Sequence, residues 1–476
     1  MAGFSEILKH SGNYLIANLA TRALAFISIP VYTRLLSTED YGITAVFLAT
    51  VGILNSLVAL NFDTSISRYY YDQKSGLDFK IFVGTSCIAS AIAICITSVI
   101  FYYFVHPIAD FIALPVAATY LLVPMVILNL IGGIFTQIYQ PLKQSKAIAL
   151  SSLTRVYLGF AFSIGLIFVF NSEKYLGQIF GQILAGIAML FYWGKKIAPH
   201  IIFKFNWSCL RYIINYSIPL IPYALSGVII EQFGKLTVAA NDGTPQAGFY
   251  TLAVSIASLT AIVTEITHKA WYPYYMEYMK TRNYTQHDRD LGRIFRLTLI
   301  ASMFFSCFGQ EIGTLLAKKS FTSALGLVPI LSLGYVFHQL SHVYMRNLSF
   351  ALKTGYMSIV VISSGCANVL LNSWMIPKWG TLGAAIAVVL SYALMAILSW
   401  FFSTYITKIR GMPIISLLKP LAILIICQCP LYFVFALDSL GSRIGLKILL
   451  FVLLSIILIR NDRHAILTMI QRLTHK

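Results

Sequence analysis

The sequence predicts an all-α polytopic membrane protein with about 14 transmembrane helices. Three observations lead there. Of 476 residues, 58% are hydrophobic and only 11% charged, less than half the roughly 25% charge of a soluble domain. Apolar runs of about twenty residues, enough for a helix to cross a bilayer, recur from end to end. Lys and Arg gather on alternate connections between those runs, as in the cytoplasmic loops of membrane proteins.

Taken in order, the spans are expected near 12–33, 42–62, 80–103, 117–139, 150–170, 177–194, 212–238, 247–268, 293–316, 326–349, 357–376, 383–406, 417–437 and 443–460. The first contains Asn18 and Arg22 and is long enough to span, so it reads as a retained helix and not a cleaved signal. Breakers mark the joints: His106-Pro107, Gln140-Pro141, Asn241-Asp242-Gly243, Pro377 with Gly380, and Gly411 with Pro413. Between the first two spans lies YTRLLSTEDYGITAV (32–46). It is expected to be an outer hairpin, with Arg34 at the interface. Thr38-Glu39-Asp40 would make its polar turn, and Gly42 would let the next helix start close by.

Charge sets the orientation. With span-end residues counted in the adjoining loop, the side holding the N-terminus has 23 Lys and Arg, the other side 7, and the span interiors 5. Both termini are therefore expected in the cytoplasm, and much of the +18 net charge is explained without nucleic acid. The longest loop, about Lys269–Gly292, holds some two dozen residues, so no soluble domain fits. There is no GxxxxGK[ST] phosphate loop, which argues against a built-in ATPase. Six of the seven cysteines (Cys87, Cys95, Cys307, Cys366, Cys427, Cys429) fall in apolar runs and read as small buried hydrophobes. Cys427-x-Cys429 matches no metal spacing, and no cofactor is expected.

A loose internal echo suggests two lobes. Lys9-x3-Asn13-Tyr14 is answered by Arg211-x3-Asn215-Tyr216, the turn 37–42 by 241–248, and Arg68-Tyr69-Tyr70-Tyr71 by Trp271-Tyr272-Pro273-Tyr274-Tyr275. Parallel repeats of this kind build transporters with a midplane site. The expected organisation is an N-lobe at 1–194 with helices 1–6 and a cytoplasmic linker at 195–211. A C-lobe at 212–406 with helices 7–12 follows, and then helices 13–14 with a cytoplasmic tail at 407–476. The two six-helix lobes would surround a central cavity.

Pro30-x3-Arg34-Leu35-Leu36-Ser37-x2-Asp40-Tyr41-Gly42, after a first helix containing Arg22, resembles the start of polysaccharide-export flippases. These are the Wzx-type O-antigen translocases of the multidrug/oligosaccharidyl-lipid/polysaccharide exporter (MOP) superfamily. SRYYYD (67–72) fits as well, and so does GKLTVAANDGTPQAGFYTLAVSIAS (234–258), with Lys235 where a basic residue is common. The resemblance implies transfer of a lipid-linked oligosaccharide, such as an undecaprenyl-pyrophosphate-linked O-antigen repeat unit, across the bacterial inner membrane by alternating access. It implies no catalytic residues. The lipid bilayer is the surrounding partner, with the polysaccharide polymerase and chain-length machinery as further ones. Members have twelve to fourteen helices.

Charge inside a membrane is costly and marks candidate sites. Arg22 sits mid-span, four residues from Asn18 and on the same face. It either lines a water-filled cavity or pairs with a carboxylate on a neighbouring helix. Arg155, Arg296 and Arg346 lie near cytoplasmic span ends, where snorkelling explains each as well as substrate contact does. The expected substrate-binding cations are Arg22, Arg68, Lys235, Arg296 and Arg346, since guanidinium groups bind phosphate through paired hydrogen bonds. Polar cavity residues, through which H+ or Na+ can couple, are Asn18, Glu231, Glu265, His268, His338 and His342. Glu231 and Lys235 are spaced to form an ion pair. His338 and His342 match a zinc spacing but lack a third ligand, so no metal is expected. Tyr69–Tyr71 and Trp271–Tyr275 can stack on sugars or form an interfacial belt. Gly177-x3-Gly181 is expected to pack helices.

Three other readings compete: a drug or cation antiporter of the same fold, a membrane polymerase or ligase, and an inert scaffold. The first wants an acidic cavity, the second a large catalytic loop, and the third has no need of Arg22.

Overall fold

The computed structural model describes residues 4–58, 60–72, 76–407, 409, 412–431 and 440–459. No strand occurs among them. Among the described residues ten helical stretches are long and apolar enough to cross a membrane, so the chain is a polytopic all-α membrane protein as the composition requires. Within lipid a backbone must satisfy its own hydrogen bonds, and helices do so within one segment.

Residues 1–251 with 368–384 form one compact unit. It contains α1 (Phe4–Leu35), α2 (Thr38–Val58), α3 (Thr64–Asp72), α4 (Gly76–Tyr103), α5 (Val105–Ile112), α6 (Val116–Tyr120), α7 (Leu122–Tyr139), α8 (Ser145–Val169), α9 (Lys174–Ile197), α10 (Trp207–Ser217) and α11 (Ile221–Asp242). The polar turn expected at 38–40 is instead the first turn of α2. Ser37 caps it, with the Asp40 N–H donating to Ser37 Oγ at 3.0 Å and the Ser37 N–H donating back to Asp40 Oδ2 at 3.3 Å. This reciprocal cap satisfies orphan donors at the helix start, so only two residues separate α1 from α2.

Gly42 does more than shorten that hairpin. A Cβ there would overlap the Thr244 carbonyl, and a Cβ on Gly248 would lie 3.0 Å from the Thr38 carbonyl. The two turns that echo each other in sequence therefore meet backbone to backbone. Gly177 and Gly181 act in the same way along α9: a Cβ on Gly177 would come 2.7 Å from Ile167 N, and one on Gly181 would overlap the Ser163 backbone of α8. Small residues let membrane helices approach this closely.

The second unit covers 252–367 and 385–476. α12 (Thr244–Ala257) enters it and stops at Ser258, and α13 (Leu259–Thr281) follows. α14 (Tyr284–Leu316), α15 (Val328–Phe350), α17 (Ile414–Gln428) and α18 (Leu440–Ile459) pack around a core of Phe295, Leu299, Met303 and Cys307. Gln428 Nε2 donates to Ser306 Oγ at 2.8 Å, and Lys447 Nζ lies 2.5 Å from Glu311 Oε1. The last helices are thereby tied to α14 by polar bonds inside an apolar core. Lys447, in the first half of α18, is fully buried.

The long loop expected at 269–292 is not a loop. α13 runs on to Thr281 and α14 starts at Tyr284, with Asn283 capping it through the Gln286 N–H at 3.3 Å. Hydropathy falls there because polar residues replace apolar ones, and the helices do not end with it. α16 (Thr354–Thr407) is 54 residues long with non-helical dihedrals at Gly380. At 1.5 Å per residue it would measure about 80 Å unbroken, far more than one bilayer, so it is two spans joined at the expected Pro377–Gly380 break. Gly380 has φ +53, and a Cβ there would come 2.9 Å from Asp242 Oδ2, so glycine alone suits the position. The parts of the expected span 417–437 and of the tail that fall at 432–439 and 460–476 lie outside the described residues.

Candidate functional site

Besides the bonds that tie the last helices to α14, three groups of charged and polar side chains stand out among the described residues, two in the first unit and one in the second. The first place joins α1 and α11. Glu231 lies within electrostatic range of both Lys235 and Arg22. Lys235 Nζ donates to Gln232 Oε1 at 2.8 Å, one turn back. Arg22 and Lys235 are half-buried and Glu231 is exposed. Two cations and one carboxylate thus share a locality, and its net charge is positive. The Asn18 side chain lies outside the described residues.

The second place is a cavity of about 490 Å3 among α7, α8 and α9. Its polar wall is made by Asn129, Gln137, Ser152, Arg155 and Gln182. The Arg155 guanidinium donates to Asn129 Oδ1 and stands over the Trp193 ring, 5.4 Å from its centroid. Trp193 is itself buried, and its Nε1 donates to Ser151 Oγ at 2.8 Å. Gly132 makes room for this stack, since a Cβ there would come 3.1 Å from the Trp193 ring. On the neighbouring residue, a Cβ on Gly133 would lie 3.0 Å from Asp63 Oδ2. Asp63 belongs to the connector between α2 and α3. Burial pushes its carboxyl up to about 6, although the N–H groups of Asp63 and Thr64 bond to it.

The third place is a ladder between α13 and α15. Glu265 is in electrostatic range of His342, Arg346 stands over Trp271 at 5.2 Å, and Tyr275 OH donates to Asn347 Oδ1 at 2.9 Å. His338 and His342 meet through their Nε2 atoms at 3.2 Å. His268 is buried, and neither of its ring nitrogens has a hydrogen-bond partner among the described residues. Four residues singled out from sequence (Glu265, His338, His342 and Arg346) are thus brought together, along with two of the aromatics at 271–275.

Arg68 stands apart from these places. It is exposed, its Nε lies 3.3 Å from Asp72 Oδ2, and Tyr212 OH donates to that same oxygen at 2.5 Å. Arg296 is half-buried on α14, with a guanidinium nitrogen 3.4 Å from where a Gly292 Cβ would be. Sequence reasoning found snorkelling and substrate contact equally good for Arg155 and left it out of the expected binding cations, and it passed over Asn129, Gln182 and Trp193 altogether. A signal was present: residues 111–230 hold eight Lys and Arg but one carboxylate, Glu173.

Comparison with known proteins follows the same lines. Residues 7–279 match the family model described as polysaccharide biosynthesis protein. The chain is 21% identical over 308 residues to Lsg locus putative protein 1 of Haemophilus influenzae, covering 62% of this chain and 72% of that one. It is 19% identical over 409 residues to the probable low-salt glycan biosynthesis flippase Agl15 of Haloferax volcanii, covering 84% of each. Among solved structures, the lipid II flippase MurJ in an inward closed conformation aligns with TM-score 0.69 at 17% identity, covering 94% of this chain and 98% of that one. An inward-facing multidrug resistance MATE family transporter of the MOP superfamily aligns at 0.61 and 14% identity, covering 83% and 98%. At such identities the structural likeness speaks for the fold. The chain belongs to the polysaccharide biosynthesis protein family and is a multi-pass membrane protein.

Proposed function

We propose that the protein carries an undecaprenyl-pyrophosphate-linked oligosaccharide, an O-antigen or similar surface-polysaccharide unit, across the bacterial inner membrane. Both termini face the cytoplasm, and the binding residues open alternately to the two faces of the membrane. The observation that carries this reading is the net-positive group of Arg22, Lys235 and Glu231 within the spans of the first unit. An ammonium or guanidinium inside lipid costs about 2.5–3.5 kcal/mol on insertion scales. A cargo that brings its own negative charge offsets that cost. A pyrophosphate does so, and guanidinium can hold it through two parallel hydrogen bonds. A cationic drug would meet repulsion at the same place, so the antiporter reading is weaker. The named relatives include a glycan flippase and a succinoglycan biosynthesis transport protein. That supports a carrier over a polymerase or ligase, which would act before or after it as a partner.

The test uses a strain deleted for this gene and complemented with variants, scoring surface polysaccharide and membrane protein level together. Arg22→Ala should abolish polysaccharide at near-normal protein level. Arg22→Lys, which keeps the charge but loses the planar fork, should restore only part of it. Normal polysaccharide from Arg22→Ala would remove Arg22 from the mechanism.

A further inference from the structure

The net-positive group on α1 and α11 does not account for the cavity among α7, α8 and α9, which has its own electrostatics. Its volume of about 490 Å3 falls among ligand pockets, roughly 300–1,000 Å3. Arg155 reaches it ten residues into α8. Asn129 takes one of its five donors, Trp193 covers one face, and no carboxylate bonds to it among the described residues. Glu173, the single acid of residues 111–230, sits at the start of α9, twenty residues from Trp193, or about 30 Å along the helix. Asp63, against the Gly133 side of the wall, is engaged by backbone N–H groups instead.

The surroundings reinforce the sign. α7 ends, α8 begins and α9 ends at the same end of the bundle as the cavity. Exposed Lys143, Lys146, Lys195 and Lys196 stand there. Such a set raises the local concentration of anions. The wall is also fixed before any ligand arrives. Ser151 holds the Trp193 indole, Trp193 and Asn129 orient the guanidinium, and Gly159 lets Gln182 lie directly on α8, where a Cβ would come 2.7 Å from its Oε1. The amide groups of Asn129 and Gln182 add neutral donors. A cation held this firmly, half-buried at a cavity and bonded to no internal acid among the described residues, leaves room for an anion supplied from outside.

We propose that this cavity is an oxyanion-binding compartment, with Arg155 as its anchor and a phosphate-class group as its ligand. The ligand is either a soluble phosphate or the pyrophosphate of a lipid headgroup. The proposal does not depend on what the protein transports, because it is tested by binding.

The experiment follows thermal unfolding and calorimetric binding of the purified full chain in nanodiscs, with inorganic pyrophosphate and inorganic phosphate as probes. Wild type should be stabilised by pyrophosphate, and the effect should weaken as salt is raised. Lys204→Gln, which removes an exposed cation of the same unit, should bind as wild type does. Arg155→Gln should bind at least about ten-fold more weakly, the loss expected for one charge-assisted contact. Asn129→Asp is the second variant. It is nearly isosteric and gives Arg155 an internal carboxylate, so it should fold at least as well as wild type and lose pyrophosphate binding. Undecaprenyl pyrophosphate in the nanodisc then separates the sources. Displacement of inorganic pyrophosphate assigns the site to a headgroup, and persistence assigns it to a soluble anion; both support the proposal. Wild-type affinity in folded Arg155→Gln or Asn129→Asp would overturn it, and so would wild type that binds neither probe.

Discussion

Arg155 and Lys447 are both cations within apolar helices, one in each unit, and their surroundings differ completely. Lys447 is fully buried on α18 and lies 2.5 Å from Glu311 on α14. Arg155 is half-buried on α8, touches an amide and an indole, and opens on a cavity. The first charge is used up inside the protein and fastens two helices together. The second is left available. A charge in a membrane helix thus has its role decided by what the neighbouring helix offers it. In sequence the two look alike.

The comparison breaks first at Lys447. Lys447→Ala should strand Glu311 and cost up to about 3 kcal/mol, the lower end for a broken buried pair, because Glu311 keeps 32% of its side chain exposed. Protein level and thermal midpoint should both fall. Lys447→Met with Glu311→Gln should recover most of the loss, since a well-packed apolar pair replaces a buried ion pair at little cost. No recovery in the double variant would mean that Lys447 does more than pair.

The Arg155 side is sharpened through the wall that holds it. Gly181→Val places a branched side chain against the Ser163 backbone and must push α8 off α9. Overpacking typically costs about 1–3 kcal/mol. The midpoint should drop and pyrophosphate binding should go with it. Retained binding at a lowered midpoint would separate the cavity from the α8–α9 contact.

The smallest expected effect concerns Asp63. Its carboxyl stands near pH 6 when folded, against an ordinary value of 3.8. The folded state therefore binds the proton more tightly than the unfolded state does. Stability should be greatest below about pH 4, fall as pH rises through about 6, and stay flat above that. Asp63→Asn should remove this slope and raise the midpoint at pH 7, by at most about 3 kcal/mol. An unchanged slope in Asp63→Asn would assign the pH dependence to other groups.

Much of the fold was legible because hydropathy reports each span locally. Arg22, Lys235 and the Gly177-x3-Gly181 motif could be picked out for the same reason: each is a local departure from an apolar run. Partners could not be read. Glu311 lies 136 residues from Lys447, and Asn347 lies 72 from Tyr275, and nothing in a single sequence links them. The polar turns of α13 and α14 were missed because a polar helix and a polar loop have similar hydropathy. Arg155 was undervalued because depth along its own helix was the criterion. The missing carboxylates of the helices on either side were the better clue.

The central claim is that the protein moves an anionic glycolipid, and reconstitution tests it most directly. Liposomes carrying the purified protein would be loaded with a fluorescent oligosaccharide on undecaprenyl pyrophosphate, or with the same sugar on a neutral undecaprenyl carrier. Leaflet exchange would be read by quenching from outside. The account predicts protein-dependent exchange of the pyrophosphate-linked sugar, lost in Arg22→Ala, and little exchange of the neutral one. Equal exchange of both, or exchange unaffected by Arg22→Ala, would contradict it.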